Sequence, residues 1–302
     1  MTPYRFDDLL AASRRVNWEI DDVLPQGARL DFSRPFLPES LACTRGLPFL
    51  SADERRTLNQ IRGLGYLVTF GLVEEFIVPF VLGHAGPQTG GDDARVLALQ
   101  HFAGEEAKHM DLFKRFRALF ESSFGRHCDV IGPPEAVAEA VLAHAPLAVA
   151  LTILHIEWMT QRHYVDSVKD DQQLDPLFKS LLHHHWLEEA QHAKLDTLMI
   201  EALAAGADAS GVRRAVDEYL EIGAFLDAGM RQQAELDVAA FERATGRKLG
   251  ADERAAFLEQ QIRGLRWTFI GSGMTHPNFL ATLGGLDARQ RKRVEEVAPA
   301  FC

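Results

Sequence analysis

The sequence predicts an all-α chain: a four-helix bundle with additional N- and C-terminal helices. Three observations lead there. Alternating β-branched runs, the pattern a half-buried strand needs, do not persist anywhere along the chain. Ala, Leu, Glu, Gln and Arg, which lose little freedom in a helix, fill the long segments. Stretches bearing Gly and Pro separate those segments from one another.

The elements follow in order. The first 50 residues carry Pro25, Pro35, Pro38 and Pro48 and are expected to be irregular. Ser51 with Glu54 three residues on is a capping box, opening a helix that runs to about Gly83. The loop GHAGPQTGGDD ends it, and Asp92 or Asp93 caps the next helix, which reaches about Phe124. GRHCDVIGPP breaks that helix; Pro133 and Pro134 suit a new first turn, and Pro146 kinks or restarts it as a helix reaching about Lys169. After the polar turn KDDQQLDP, a fourth core helix runs from near Pro176 to about Gly206. A long helix from about Ser210 to Gly246 and another from near Asp252 follow, and the tail from Gly271, with SGMTHPNF, is expected to be irregular.

The chain thus reads as a single domain over residues 1–302, its four-helix core at about 53–206 and its helical extension at about 210–302 capping the bundle or forming a homodimer interface. The string ADER followed by QIRGL occurs near residue 52 and again near residue 251, with a different gap, and reads as two similar helix starts.

Composition excludes several classes. At 302 residues and 47% hydrophobic content, the chain can bury a large core. A net charge of −11 repels nucleic-acid phosphates and anionic membrane surfaces. Cys43, Cys128 and Cys302 are odd in number and lack C-x-x-C spacing, so neither a disulfide framework nor a thiolate metal site is expected, and a cytoplasmic location fits. Asp7 and Asp8 interrupt any signal-peptide pattern, and the apolar run from Pro146 to Trp158 is shorter than the roughly 20 residues a membrane span needs.

The chemistry-bearing residues lie on four successive helices. Because each helical residue advances by about 100°, His185, Glu189 and His192 point the same way, and so do Glu106 and His109. Two helices therefore carry E-x-x-H. The other two carry acids within apolar sequence: Glu74 and Glu75 in VTFGLVEEFIVPF, and Glu157 in LTILHIEWM. A buried carboxylate is costly unless it is paired or binds a cation. One Glu from each of two helices with Glu-x-x-His from each of the others is the recipe for a carboxylate-bridged dimetal site, and such donors suit iron or manganese. On the first helix both acids have apolar residues a turn away; Glu75 is favoured, since Glu75-Phe76-Ile77 echoes Glu157-Trp158-Met159.

Over about residues 53–206 these motifs resemble the ferritin-like di-iron carboxylate superfamily. The run H-x-x-x-E-x-x-H formed by His185, Glu189 and His192 is similar to the bacterial di-iron arylamine N-oxygenases, the family of p-aminobenzoate N-oxygenase, which add a third histidine. The resemblance implies two iron ions, with manganese as the alternative, held by Glu75, Glu106, His109, Glu157, His185, Glu189 and His192. It further implies O2 as co-substrate, a small organic substrate such as an aromatic amine undergoing N-oxygenation, and a separate electron donor. The alternative is a ferritin-like iron-binding or ferroxidase protein without an organic substrate, which the roughly hundred residues after the fourth core helix disfavour.

Glu105 and Glu188, each the first of two acids, are expected to point away from the metals as solvated or outer carboxylates. Asp196 reads as either an imidazole-orienting acid or a surface acid. His163 falls on a different face from Glu157 and reads as a surface or core residue, and His183 and His184 cannot share the face of His185. Phe70, Phe76, Phe102, Phe113, Trp158 and Trp186 read mainly as core. Tyr66 and Tyr164 are weak candidates for a radical site.

Overall fold

The structure, a computed structural model, describes residues 4–86, 91 and 93–302. Its helices are α1 (Phe6–Ser13), α2 (Ile20–Val23), α3 (Glu39–Ala42), α4 (Ala52–Ala85), α5 (Asp93–Phe124), α6 (Pro134–Leu142), α7 (Pro146–His163), α8 (Pro176–Ala204), α9 (Ala209–Thr245), α10 (Ala251–Arg266), α11 (Ser272–Met274), α12 (Pro277–Leu286) and α13 (Ala288–Val297). No strand occurs among the described residues, and the all-α architecture stands.

Local chemistry sets the ends of the core helices. Ser51 Oγ accepts from the Glu54 amide at 3.2 Å while the Ser51 amide donates to Glu54 Oε2 at 2.7 Å, closing the capping box of α4. Asp92 lies outside the described residues, and α5 begins at Asp93. Pro146 occupies the first turn of α7, which ends in a π-helical turn over Tyr164–Val168. Asp175 caps α8 through the Phe178 amide at 2.6 Å, and its other oxygen accepts from the Asp31 amide at 2.8 Å, tying the N-terminal segment to the bundle.

Helices α4 and α5 form one long hairpin and α7 and α8 the other. Every residue of α7 from Leu147 to Thr160 is buried, as a helix enclosed on all sides requires. By length and composition α4 could cross a bilayer, but 72% of its apolar window is buried against the rest of the fold. The additional helices cover opposite sides of the core: α1 lies on α5 and α8, while α9 lies on α4 and α7 with α10 against it.

Two expectations are corrected. The N-terminal segment is not wholly irregular, since α1 is a docked helix with Leu9, Leu10 and Ser13 buried. The tail is helical throughout most of its length: Pro277 sits in the first turn of α12, where its missing N–H costs nothing, and Asp287 caps α13 through the Arg289 amide at 2.7 Å. The glycines of that region serve close packing. A Cβ on Gly273 would stand 2.7 Å from the carbonyl oxygen of His155.

The repeated QIRGL also gains a cause. Gln60 donates to the carbonyls of Phe32 and Arg34 at 2.8 Å each, and Gln261 to those of Ala42 and Cys43 at 3.4 and 3.1 Å. A Cβ on Gly63 would meet Phe36 Cβ at 2.8 Å, and one on Gly264 would meet Cys43 Cβ at 2.9 Å. The glutamine and glycine of the motif therefore clasp the N-terminal segment from α4 and again from α10.

Candidate metal centre

Four helices aim carboxylates and imidazoles at one buried point. Two groups of potential ligand atoms, each within 4.8 Å of one another, consist of Glu74, His109, His185 and Glu189, and of Glu106, Glu157, Glu189 and His192. Glu189 belongs to both. Its Oε1 lies 2.5 Å from His185 Nε2 and 3.3 Å from His109 Nδ1, and its Oε2 lies 3.0 Å from His192 Nδ1. Glu106 also faces both groups, with Oε1 2.8 Å from His192 Nδ1 and Oε2 3.7 Å from His109 Nδ1.

Of the residues expected to meet there, Glu106, His109, Glu157, His185, Glu189 and His192 do. Glu75 does not. It is 29% exposed, with Oε1 3.7 Å from Lys114 Nζ, and Glu74 stands in the cluster instead. The stripe of α4 that holds Glu74 also holds buried Phe70, Ile77 and Val81, whereas the stripe of Glu75 runs toward exposed Pro79 and Leu82. The echo of Glu157-Trp158-Met159 compared letters, and a single-residue step of about 100° defeats that comparison.

Glu105 and Glu188 turn inward, each to the opposite helix. Glu188 Oε2 accepts from His109 Nε2 at 2.8 Å, and Glu105 Oε2 from His192 Nε2 at 2.7 Å. Each Nε2–H therefore points outward to a carboxylate, and each Nδ1 faces the cluster as the nitrogen that could take a metal once any proton on it is displaced. Lys108 donates to Glu188 Oε1 at 2.5 Å, and Gln191 donates to Glu105 at 2.9 and 3.1 Å. The signal for this exchange lies in a repeat: α5 reads EEAKH and α8 reads EEAQH, and each letter has the same duty in both.

Electrostatics follow from burial and from this crowding. Burial raises the Glu74 carboxyl to about 8, partly offset by the nearby His185 imidazole. Burial and the neighbouring Glu189 charge push Glu157 well above the carboxylate range. Burial opposes ionisation of Glu189 too, but His185, Glu157 and His192 hold it well below its ordinary value. For His109 and His192 burial disfavours the cation, yet the surrounding glutamates raise both well above the usual imidazole range, and His185 is raised for the same reason.

The residues present fit a pair of metal ions. Both oxygens of Glu74 and of Glu106, Glu157 Oε2, His109 Nδ1 and His185 Nε2 are buried without a hydrogen-bond partner, the condition a cation would relieve. Their donors are oxygen and imidazole nitrogen with no sulfur, the set that suits iron or manganese. Phe102 stacks on His192 at 4.1 Å, Phe70 and Phe113 each meet His185 edge-on at 5.2 Å, and Trp18 stacks on His109 at 6.0 Å. These rings keep the centre dry; Trp158 and Trp186 stack instead on His276 and Tyr164.

The remaining histidines take structural places. His163 is buried between the Tyr66 hydroxyl and Ser272 Oγ, each at 2.9 Å, and His155 bonds the Tyr219 hydroxyl at 2.6 Å. His183 bonds the Tyr164 hydroxyl at 2.7 Å, and His184 Nδ1 the Ser180 carbonyl at 2.7 Å. Asp196 is fully buried with neither oxygen hydrogen-bonded, and burial raises its carboxyl well above the ordinary value. It is neither a surface acid nor the partner of His192, whose outer nitrogen Glu105 occupies.

No protein-family model and no curated protein matches the chain. Among solved structures, variants of an R2-like ligand-binding oxidase align with it. One with a non-activated Mn/Mn cofactor is 14% identical over 88% of this chain and 92% of that one, at a TM-score of 0.44. One with an anaerobically reconstituted Mn/Fe cofactor is 13% identical over the same shares, also at 0.44, and one with an Fe/Fe cofactor is 14% identical over 88% and 93%, at 0.45. At such scores the likeness decides nothing, and the reading of the centre rests on the side chains described above.

Proposed function

We propose that the protein is a non-haem di-iron oxygenase that activates O2 to oxidise a small organic substrate. One observation carries this reading: seven buried carboxylates and imidazoles converge from four helices, and Glu189 presents one oxygen to each of two ligand groups. Glu74, His109 and His185 with Glu189 would hold one ion, and Glu106, Glu157 and His192 with Glu189 the other. Two iron ions bound there would supply electrons to O2, chemistry that no side chain provides. The protein's own part is to fix the two ions through shared carboxylates, to orient His109 and His192, and to exclude water with Phe70, Phe102 and Phe113.

The substrate class we propose is an aromatic amine, undergoing N-oxygenation. Support comes from His185, whose Nε2 faces the cluster as a third imidazole, in the H-x-x-x-E-x-x-H pattern that resembles the arylamine N-oxygenases. A separate electron donor, a reducing compartment compatible with three free cysteines, and a homodimer belong to the same proposal.

The test is anaerobic loading with Fe(II), determination of iron per chain, and stopped-flow absorbance on mixing with O2, followed by single-turnover assays with arylamines. Two irons per chain, a transient absorbance and oxygen transfer to an amine support the reading. Rapid iron oxidation with continued iron accumulation and no organic product would favour the ferroxidase alternative. Absence of stable iron binding would overturn both.

A further inference from the structure

Behind each outer carboxylate stands a second set of contacts, and the N-terminal segment supplies part of both. Ser13, the last residue of α1, donates its hydroxyl to Glu105 Oε1 at 2.6 Å, and its oxygen lies 3.0 Å from His101 Nδ1. The Trp18 carbonyl accepts from Lys108 Nζ at 3.1 Å, and that ammonium lies 3.8 Å from the centre of the Trp18 ring. Ser13, Trp18 and Glu19 line a cleft of about 540 Å³ together with Glu105, Lys108 and Glu188.

The two sets lead to different ligand groups. Ser13 reaches Glu105, which holds His192, a member of the group with Glu106 and Glu157. Trp18 reaches Lys108, which holds Glu188, which holds His109, a member of the group with Glu74 and His185. Among the described residues, no hydrogen bond between Ser13 and Trp18 joins the two chains of contacts. The donors also differ, since Glu188 is met by a cation whereas Glu105 is met by the neutral Gln191 and Ser13.

We infer that Ser13 and Lys108 are positioning residues, each serving one metal subsite: Ser13 aligns His192 through Glu105, and Lys108, anchored on the Trp18 carbonyl, aligns His109 through Glu188. The inference rests on the dimetal reading. It goes further by assigning a separable role to each side chain and by making the N-terminal segment part of the centre. The physical warrant is that a carboxylate holding the outer nitrogen of an imidazole ligand fixes the ring and its tautomer, and its own partners fix the carboxylate.

The experiment is cobalt(II) titration of the full-length metal-free chain, read by visible d–d absorbance, in two single-site backgrounds. Glu157→Ala leaves the Glu74/His109/His185/Glu189 group, and His185→Ala leaves the Glu106/Glu157/Glu189/His192 group. Ser13→Ala is expected to weaken cobalt binding roughly three- to tenfold in the His185→Ala background, the worth of one net hydrogen bond, and to leave the Glu157→Ala background unchanged. Lys108→Met is expected to do the reverse, with a loss of at least about tenfold, because it strips the cation from a buried carboxylate.

Ser13→Thr, which keeps the hydroxyl, should restore binding, and thermal unfolding of each metal-free variant reports whether α1 still docks. Equal losses in both backgrounds, no loss in either, or no rescue by threonine would overturn the inference while leaving the dimetal reading standing. A parent chain that binds no cobalt would remove the dimetal reading itself, and this inference with it.

Discussion

Glu74 Oε1 lies 3.6 Å from His185 Nε2, joining an acid of α4 to a histidine of α8 across the bundle. Its neighbour Glu75 turns outward to Lys114. Alanine substitutions should separate the two sharply. Glu74→Ala removes a ligand and leaves His109 and His185 with Glu189 alone, so bound metal should fall by about one ion per chain, with affinity at that subsite at least about tenfold weaker. Glu75→Ala removes only a half-exposed ion pair, worth under about 1 kcal/mol, and metal content should not change. Metal analysis of both purified variants checks this, and equal losses would return Glu75 to the ligand set.

The pair Glu74 and Glu75 also marks where the sequence stops being legible. The E-x-x-H motifs and Glu157 could be read because helical periodicity alone puts i, i+3 and i+4 side chains on one face. Choosing between adjacent acids needs the helix's rotation about its axis, which neighbouring packing sets. Glu105 and Glu188 were visible as acids, but their reach to the opposite helix is a tertiary fact. The repeat of EEAKH as EEAQH was the available clue. Ser13 and Trp18 carry no signal, since nothing in α1 or in the segment after it announces what it docks against. The tail differs from its expected irregularity for another reason: Pro277 of SGMTHPNF stands in a first helical turn, where a proline starts a helix.

A second buried charge pair lies outside the centre. Arg62 of α4 and Asp237 of α9 are each 1% exposed and 3.6 Å apart, and Gln233 donates to the other Asp237 oxygen at 2.8 Å. Removing the cation alone leaves an uncompensated buried carboxylate. Arg62→Met should therefore destabilise the protein by about 3–5 kcal/mol, while the double replacement Arg62→Met with Asp237→Leu should recover most of that loss. Urea unfolding of the three proteins decides it. A double variant no more stable than the single would show that the pair matters through packing instead of charge.

His155 supplies a pH dependence whose sign is fixed. Burial lowers its imidazole from an ordinary 6.5 to about 4, with the Phe269 carbonyl as a minor opposing influence. The unfolded chain therefore binds more protons than the folded one between those values, so stability rises with pH there and is lost on acidification through that window. The contribution is on the order of 3 kcal/mol once pH falls below the folded value. In His155→Gln that component disappears. The unfolding free energies of wild type and variant, measured at pH 7 and again near pH 4.5, should converge as the pH falls. A constant difference would mean that His155 is not held neutral.

Metal loading itself should release protons. In the metal-free cluster His109, His185 and His192 are all raised, Glu74 sits at about 8 and Glu157 is raised further, so several of these groups carry protons at neutral pH. A cation can take their lone pairs only by displacing those protons. Adding Co(II) or Fe(II) anaerobically to weakly buffered protein should acidify the solution by more than one proton per chain, and the apparent affinity should rise with pH through neutrality. Because the ions bind only the folded arrangement, excess metal should also raise the unfolding temperature, by the equivalent of about 2.7 kcal/mol at a hundredfold excess over the dissociation constant. Binding without proton release would place the metal elsewhere, since exposed carboxylates are already ionised and have no protons to yield. Release without stabilisation would instead mean that the ions also bind the unfolded chain, through its histidines, and that affinity alone is no measure of this centre.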